Sequence, residues 1–423
     1  MADATALRDR LVQRSVGAPY SLFLGLGALL AVVGLGLFAL SASGPDADRA
    51  WHLFHVNWLF FTSLSAGGVV VSAVYKTAHA KWHGVIIRFA EACGAFLPVS
   101  FLGFLVIFTA GYPHIFGHLQ EQLPTLSAGK HLWLSRPWMF WRLFIALGAL
   151  YAIGLRFVWH NLLGDIHAAK GVVSGRRRAQ YEKWTATYDA AKVEERLTRL
   201  APLYVWVYAF AFTILAFDTV MGLQPHWFSN LFGGFFFMGA FLGSQAALAL
   251  LMMYGGRQLG ISDLISDKQR HDLGKLIFGF SVFWTYLMWS QFLVIWYGNM
   301  PEETGFVFAR LWGHWEMVGR LVFLGLFLIP FIGLLGVSPK KYPVTLGFFS
   351  AIIVLTLWLE RYLLVLPSVT AQDGPVFGLP ELGPTLAFLG LFLLAYALFA
   401  RTFPMVSPRL AMITLDKERG GHH

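Results

Sequence analysis

The residues of this sequence most able to do chemistry are ionisable side chains that interrupt long apolar stretches. They are Arg88, Glu91, Arg142, Asp218, Arg320, Glu360 and Arg361. If these stretches cross a lipid bilayer, each ionisable group costs about 2.5 to 3.5 kcal/mol on insertion scales. Each of these residues is therefore a functional candidate.

Asp218 stands late in its apolar stretch, close to one end of a predicted helix. A lone carboxylate there is expected either to be protonated or to be held ionised by a cation such as Arg142 or Arg361. The alternative is that its side chain extends to the polar surface of the membrane.

Two pairs of histidines are spaced to lie on helix faces. His52 and His55 are three residues apart, and His114 and His118 are four apart. Each spacing places both rings on one face of a helix, and a neutral imidazole can take a proton from a phenolic hydroxyl. The competing interpretation is that these are interfacial histidines hydrogen-bonded to solvent.

Other features each allow two interpretations. Arg88 and Glu91, three residues apart, are expected to pair along one helix face, or Glu91 takes up protons from the cytoplasm. Ser63 and Gly67, four residues apart, indicate tight helix packing or a slot for a flat ring.

Pro98 and Pro330 lie inside apolar stretches and predict kinks.

Composition excludes several classes of protein. Only 13% of the residues are charged and 57% are hydrophobic, whereas a soluble domain has about 25% charged residues. The single cysteine, Cys93, excludes an internal disulfide and any four-cysteine cluster. With no histidine near the middle of an apolar stretch, we expect this chain to hold no haem, no iron–sulfur cluster and no metal.

The sequence predicts an all-α integral membrane protein in which residues 1–423 form a single polytopic domain. A membrane-spanning helix needs about 20 predominantly apolar residues. Ten stretches qualify: 20–41, 54–75, 89–112, 138–159, 203–223, 230–254, 273–298, 318–337, 345–366 and 382–401. The alternating pattern of a membrane β-barrel is not visible.

The 32 Lys and Arg residues predict the orientation. Most of them fall in the terminal segments and in the loops predicted on the same side of the membrane as the termini. The other side holds Arg49, Lys130, Arg136, Arg142, Arg310, Arg320 and Arg361. The positive-inside rule therefore places both termini in the cytoplasm. The long cytoplasmic loop 161–200 contains the run 176–178 of three arginines, which is expected to contact anionic lipids or to dock a partner. We expect no binding of nucleic acid.

Three segments together resemble one protein family. They are Asp218-Thr-Val-Met-Gly-Leu-Gln-Pro-His-Trp-Phe-Ser-Asn-Leu-Phe-Gly233, His271-Asp-Leu-Gly-Lys-Leu-Ile-Phe278 and Phe283-Trp-Thr-Tyr-Leu-Met-Trp-Ser-Gln-Phe-Leu-Val-Ile-Trp-Tyr-Gly-Asn-Met-Pro-Glu-Glu-Thr304. The chain resembles a large membrane subunit of bacterial alternative complex III, a quinol:cytochrome c oxidoreductase. That subunit belongs to the polysulfide-reductase or NrfD-type superfamily. The resemblance runs over nearly all ten spans and is greatest to the second of the two large subunits.

The resemblance implies a fold, a location and partners. The fold is two four-helix bundles plus flanking helices, in the bacterial inner membrane. The partners are a sister NrfD-type subunit, an iron–sulfur and molybdopterin-like subunit, c-type cytochromes and small membrane subunits. Such a complex oxidises quinol, either menaquinol or ubiquinol, near the outer face. Its electron-carrying metal centres lie on other subunits. Proton translocation is a further expectation.

Individual residues follow from the same resemblance. Asp218 is the aspartate of the family motif, and Ser290 with Gln291 is the polar pair of the seventh span. The chain departs from the family at Glu360, where an aspartate is usual, and at Gly222, where a serine is usual.

These features together predict a quinol site. We expect His55 or His118 to accept the quinol proton and Asp218 to relay it, while Arg142 or Arg361 tunes that carboxylate. His52, His114 and Gln291 are expected at the quinol site or along the proton path.

Two other functions fit the sequence. One is a quinone-reducing membrane anchor of a molybdopterin and iron–sulfur oxidoreductase, which reverses the electron flow. The other is a structural or proton-conducting subunit without bound quinone. A transporter is disfavoured because the polar groups cluster toward one leaflet rather than at the midplane.

Overall fold

The structure is a computed structural model that describes residues 2–17, 19–370 and 374–420. Within these ranges the chain is helical and contains no β-strand. Ten of its helices are long and apolar enough to cross a membrane. The prediction of an all-α, multi-pass membrane protein is confirmed.

The ten spans have the following bounds. Span 1 is Ser21–Ala42, span 2 Ala47–Thr77, span 3 Ile87–Thr125, span 4 Arg136–Ala169, span 5 Ala190–Leu223, span 6 Phe232–Leu259, span 7 Asp267–Gly298, span 8 Gly313–Gly333, span 9 Pro343–Val369 and span 10 Leu379–Thr402. Shorter helices are Ala2–Ser15, Ala128–Leu134, Gly175–Trp184, Pro301–Leu311, Val337–Lys341 and Pro408–Gly420.

Most of the segment predicted as the loop 161–200 is helical. Span 4 continues to Ala169, a helix covers Gly175–Trp184, and span 5 begins at Ala190. The side chain of Asp189 accepts hydrogen bonds from the backbone N–H groups of residues 191 and 192, which caps the start of span 5. Spans 4 and 5 therefore extend well beyond their apolar parts.

Helix contacts divide the spans into two bundles. Spans 2–5 pack together as the first bundle and spans 6–9 as the second, while span 1 packs along span 10 at the periphery. Span 2 is the central helix, since it contacts spans 5, 6, 9 and 10. In the apolar 18-residue window of span 2, 94% of the residues are buried. In the corresponding window of span 1 the share is 17%.

Close contact between helices requires small residues at particular positions. A Cβ atom on Gly67 would lie 2.0 Å from Oγ of Ser244, where span 2 crosses span 6. A Cβ atom on Gly34 would lie 2.1 Å from the backbone nitrogen of Ala387, where span 1 crosses span 10. The spacing of Ser63 and Gly67 therefore serves tight helix packing.

Irregular turns precede the prolines inside spans 3 and 8. A 3₁₀ segment, Ala92–Phe96, precedes Pro98, and a π-helical segment, Leu324–Leu328, precedes Pro330. Proline has no N–H group and its ring clashes with the carbonyl four residues earlier, which distorts a helix locally. The carbonyl of Leu326, four residues before Pro330, instead accepts a hydrogen bond from Ser281 of span 7.

The molecule has two polar ends. The N-terminal helix, Ala2–Ser15, and the C-terminal helix, Pro408–Gly420, contact each other at one of them, called here the termini end. The opposite end, called the far end, includes the loops around residues 43–46, 224–231 and 299–300. The functional candidates lie near both ends.

Replacing Gly34 by leucine is expected to separate span 1 from span 10, because the new side chain would overlap the backbone of Ala387. Overpacking of this kind costs about 1 to 3 kcal/mol. Thermal unfolding in detergent measures the loss. Gly36→Leu is the matched control, since nothing lies within 4 Å of a Cβ built on Gly36. Equal unfolding temperatures for both variants would contradict the close contact.

Candidate functional site

Asp218 forms a bidentate ion pair with Arg142. The carboxylate is fully buried, with Nη2 of Arg142 2.7 Å from Oδ1 and Nε 2.9 Å from Oδ2. The guanidinium also lies 3.6 Å from the ring centre of Trp133 and donates to its carbonyl at 3.1 Å. Of the two cations proposed from the sequence, Arg142 is therefore the partner of Asp218.

His55 and His118 hydrogen-bond to the backbone that follows Asp218. Nε2–H of His55 donates to the carbonyl of Thr219 at 2.8 Å, and Nε2–H of His118 donates to the carbonyl of Leu223 at 2.9 Å. These carbonyls lie at the end of span 5, where no later turn of helix supplies N–H donors. Both histidines therefore act as side-chain caps of a helix C-terminus.

The end of span 5 is thus held by three other spans. Arg142 comes from span 4, His55 from span 2 and His118 from span 3. We call Asp218–Leu223 and these three side chains the span-5 cap. It joins all four helices of the first bundle at the far end.

His52 and His114 lie beside the span-5 cap. Nε2–H of His52 donates to the carbonyl of His114 at 3.0 Å, and Nδ1 of His114 lies 2.6 Å from the carboxylate of Asp48. Nδ1 of His52 and Nδ1 of His55 are buried and have no hydrogen-bond partner in the described parts of the chain. Each therefore presents an unused acceptor, although neither lines the two cavities described below.

Arg361 and Gln291 belong to the second bundle and lie apart from the span-5 cap. Arg361 is fully buried and donates to the carbonyl of Phe236 at 3.1 Å, with its guanidinium 3.7 Å from that ring. Gln291 accepts a hydrogen bond from Oγ of Ser229 at 2.9 Å. Ser290 donates to the carbonyl of Tyr286 in its own helix.

A cavity of about 550 Å³ lies in the second bundle near the far end. We call it the second-bundle cavity. Its walls come from spans 6, 7, 8 and 9 and from the helix Pro301–Leu311, which covers this end of the bundle. The aromatic side chains that line it are Trp227, Phe232, Phe235, Trp284, Trp289, Phe292, Phe306 and Phe323. The volume and the apolar lining are typical of a small-molecule site.

Glu360 is the buried carboxylate of this cavity. Its side chain is 1% exposed, and Oε1 accepts a hydrogen bond from Nε1 of Trp284 at 3.3 Å. Nη1 of Arg361 lies 2.8 Å from Oε2, but at an angle that forms no hydrogen bond. Oε2 is therefore buried beside the charge of Arg361 and makes no hydrogen bond.

Arg310 is the buried cation of the same cavity. It donates to the carbonyl of Leu364 and to Oγ of Ser368, each at 2.6 Å, and lies 3.3 Å from the ring centre of Phe306. It has no carboxylate partner among the described residues, and its Nε is buried without a hydrogen bond. Burial lowers the pKa of Arg310 well below its usual value.

The structure does not bring the predicted site residues together. Asp218, Arg142, His55 and His118 belong to the span-5 cap. Of the residues predicted for the quinol site or proton path, Gln291 alone lines the second-bundle cavity, together with Arg320 and Glu360, which the sequence marked only as ionisable residues in apolar stretches. Sequence reasoning missed Arg310, because nothing local shows that the helix Pro301–Leu311 folds onto the bundle. Glu360 was recognisable only as an ionisable residue within an apolar stretch.

A second buried polar cluster lies toward the termini end. Arg88 pairs with Glu91, as the spacing predicted, and also with Asp165 of span 4. Oε1 of Glu91 accepts hydrogen bonds from Ser72 and from Asn161, each at 2.5 Å. One guanidinium therefore faces two carboxylates.

A polar cavity of about 180 Å³ lies next to this cluster. We call it the termini-end cavity. Ser72 and Asn161, both bonded to Glu91, are part of its lining, together with the basic residues Lys76, His79, Lys81, His83 and Arg409. No group of three or more His, Cys, Asp or Glu side chains within the described ranges is arranged to hold a metal ion.

No protein-family model matches this chain, and no curated protein matches it. The family resemblance in the sequence therefore stays a prediction.

Breaking the pair of Asp218 and Arg142 is expected to destabilise the first bundle. Arg142→Gln leaves the carboxylate buried without a cation, which costs about 3 kcal/mol. Asp218→Asn should cost less, because Arg142 is partly exposed, and the double variant should regain part of the loss. Chemical unfolding of the purified protein measures each value. Arg178→Gln is the control, since its pair with Glu182 is exposed and exposed pairs contribute less than about 1 kcal/mol. If the losses in free energy of unfolding of the two single variants add up in the double variant, Asp218 and Arg142 are not coupled.

His83 makes stability depend on pH. Burial, and to a lesser degree Lys76, lowers its pKa from 6.5 to about 4. Between these values the unfolded chain binds the proton more readily, so stability is retained above pH 6.5 and is lost as the pH falls toward 4. The full loss amounts to about 3 kcal/mol. We expect His83→Gln to unfold with a shallower pH dependence over this window. Parallel unfolding curves of the variant and the wild type would contradict this role of His83.

Proposed function

We propose that this chain is an integral membrane subunit of a bacterial quinol:cytochrome c oxidoreductase of the alternative complex III type. We further propose that quinol binds in the second-bundle cavity. The observation that carries this proposal is a cavity of about 550 Å³ lined by aromatic rings, with Glu360, Arg310 and Gln291 as its polar side chains beside the ion pair of Glu316 and Arg320.

The chemistry of this cavity suits a quinol ring. Aromatic side chains offer flat apolar surfaces for a ring of similar shape. Glu360 has an unused carboxylate oxygen that can accept a hydrogen bond from a hydroxyl. Arg310 and the side-chain amide of Gln291 can donate to a ring oxygen.

Oxidation of quinol to quinone releases two protons and two electrons. In this proposal Glu360 accepts one proton, with Arg361 stabilising its carboxylate before the transfer, and Glu316, the other carboxylate of the lining, accepts the second proton. The electrons pass to metal carriers on partner subunits, since this chain has one cysteine. The partners implied by the resemblance are c-type cytochromes and an iron–sulfur subunit.

Orientation follows from charge. Most of the Lys and Arg residues lie toward the termini end, so the positive-inside rule assigns that end to the cytoplasm. The second-bundle cavity then lies near the outer face of the inner membrane. Protons released there leave on the side opposite to the cytoplasm.

A second function, proton conduction without quinone, is favoured by a different observation. The termini-end cavity reaches Ser72 and Asn161, which both hydrogen-bond to Glu91. Because one guanidinium faces two carboxylates there, the cluster either has a surplus negative charge or holds a proton. Such a cluster suits proton uptake.

Glu360→Gln is expected to lower quinol:cytochrome c turnover of the purified complex by at least about 100-fold, because the amide cannot accept the proton. The amount of bound quinone should fall as well, because the N–H₂ donor of the amide replaces a carboxylate oxygen that accepts a hydrogen bond. Turnover and quinone content are measured on the intact complex in liposomes that report proton release. Glu302→Gln is the control, because Glu302 is an exposed glutamate on the helix Pro301–Leu311, which covers the cavity.

Other outcomes would support the other functions. Normal turnover in Glu360→Gln, with turnover lost in His55→Ala, would place the quinol site in the first bundle. If neither variant loses turnover and Glu91→Gln abolishes proton release, the chain is a proton-conducting subunit. Copurification with a molybdopterin subunit and net quinone reduction would identify the anchor of a reductase.

A further inference from the structure

The termini-end cavity has more positive than negative charge. Lys76, Lys81 and Arg409 line it, and among the described side chains Glu194 is the only acidic one in its lining. Glu194 is already shared, because Lys76 binds one carboxylate oxygen and Arg409 lies 3.2 Å from the other. Two positive charges therefore remain uncompensated around a space of about 180 Å³.

Lys81 is the basic residue without a counter-ion. It is exposed, and no carboxylate pairs with its ammonium group in the described parts of the chain. Its backbone is nevertheless fixed, because its carbonyl accepts a hydrogen bond from Oγ1 of Thr414 at 2.7 Å. Thr414 thus holds the backbone of Lys81 at the cavity, while the ammonium group has no counter-ion within the described ranges.

The wall around Lys81 is built from distant parts of the chain. Span 2 ends at Thr77, and His79 adopts a left-handed conformation with φ of 51°, which turns the chain sharply into the segment 80–86. The C-terminal helix closes this segment, since Oγ1 of Thr414 also accepts from the N–H of Gly84 at 3.0 Å. Arg409 on that helix thereby lines the same cavity as Lys81 and Lys76.

We infer that the termini-end cavity binds a phosphate group, held by Lys76, Lys81 and Arg409. A phosphate offers several acceptor oxygens around one centre, which matches cations that converge from span 2, the segment 80–86 and the C-terminal helix. This inference does not depend on the proposed quinol site.

The run of arginines at 176–178 is a poorer candidate for the same chemistry. Arg177 donates to the carbonyl of Thr402 at 3.2 Å and lies over the ring of Tyr181, while Arg178 pairs with Glu182. None of the three arginines lines the termini-end cavity, which distinguishes them from Lys76, Lys81 and Arg409.

Two sources can supply the phosphate. One is the headgroup of an anionic phospholipid, because basic pockets between membrane helices on the cytoplasmic side bind such groups. The other is free inorganic phosphate, which is abundant in the cytoplasm. Both present the same oxygens to Lys81, so the experiment must separate them.

The test measures thermal unfolding of the delipidated full chain in detergent against added ligand. The probes are short-chain phosphatidylglycerol, the zwitterionic phosphatidylcholine as a reference, and inorganic phosphate. Lys81→Gln is compared with Lys81→Arg, which keeps the charge, and with Lys268→Gln, which removes an exposed lysine at the same end of the molecule.

We expect phosphatidylglycerol or phosphate to raise the unfolding temperature of the wild type, Lys81→Arg and Lys268→Gln alike. In Lys81→Gln the dissociation constant should rise about tenfold, which corresponds to about 1.4 kcal/mol. A response to phosphatidylglycerol alone identifies a lipid headgroup, and a response to inorganic phosphate as well identifies a site for free phosphate. Equal responses in Lys81→Gln and Lys268→Gln, or no response to either anionic probe, would overturn the inference.

Discussion

The first bundle depends on the closure of one helix end. Span 5 stops at the far end with unpaired carbonyls, and the described structure satisfies them with His55 and His118 while Arg142 neutralises Asp218. Water does not replace these donors, because Thr219 and Leu223 are buried, and a buried backbone group without a hydrogen bond costs about 1 to 3 kcal/mol. Loss of one of these side chains therefore affects the position of all four helices, not only a local contact.

This arrangement changes how the histidines are interpreted. A histidine that donates Nε2–H to a carbonyl is held in one tautomer, with Nδ1 as a bare acceptor. His55 and His52 both have this form, and neither Nδ1 has a partner within the described ranges. Their primary role is structural, and the second-bundle cavity, with Glu360, has the open space that they lack. Loss of activity on substitution of His55 would thus need a stability measurement beside it.

Local signals in the sequence predicted part of this structure. Ten apolar runs predicted the ten spans because length and hydropathy suffice for a membrane helix, and the spacing of Arg88 and Glu91 predicted their pairing. Contacts between distant segments were not predictable. Asp165 joins Arg88 from 77 residues away, and the choice of Arg142 over Arg361 as the partner of Asp218 depends on which bundle each arginine enters. The quinol function itself stays a prediction from resemblance, supported by the second-bundle cavity.

The π-helical segment of span 8 has a consequence for the shape of that cavity. A π-helical turn accommodates one more residue than an α-helical turn, and Phe323 and Leu324, at its start, line the cavity. The additional residue rotates the side chains that precede it by about 100° about the helix axis, relative to those near Pro330. Arg320 and Phe323 thus face the cavity because of a phase shift in the helix. In this part of span 8 the length of the chain, as much as its composition, determines which side chains line the cavity.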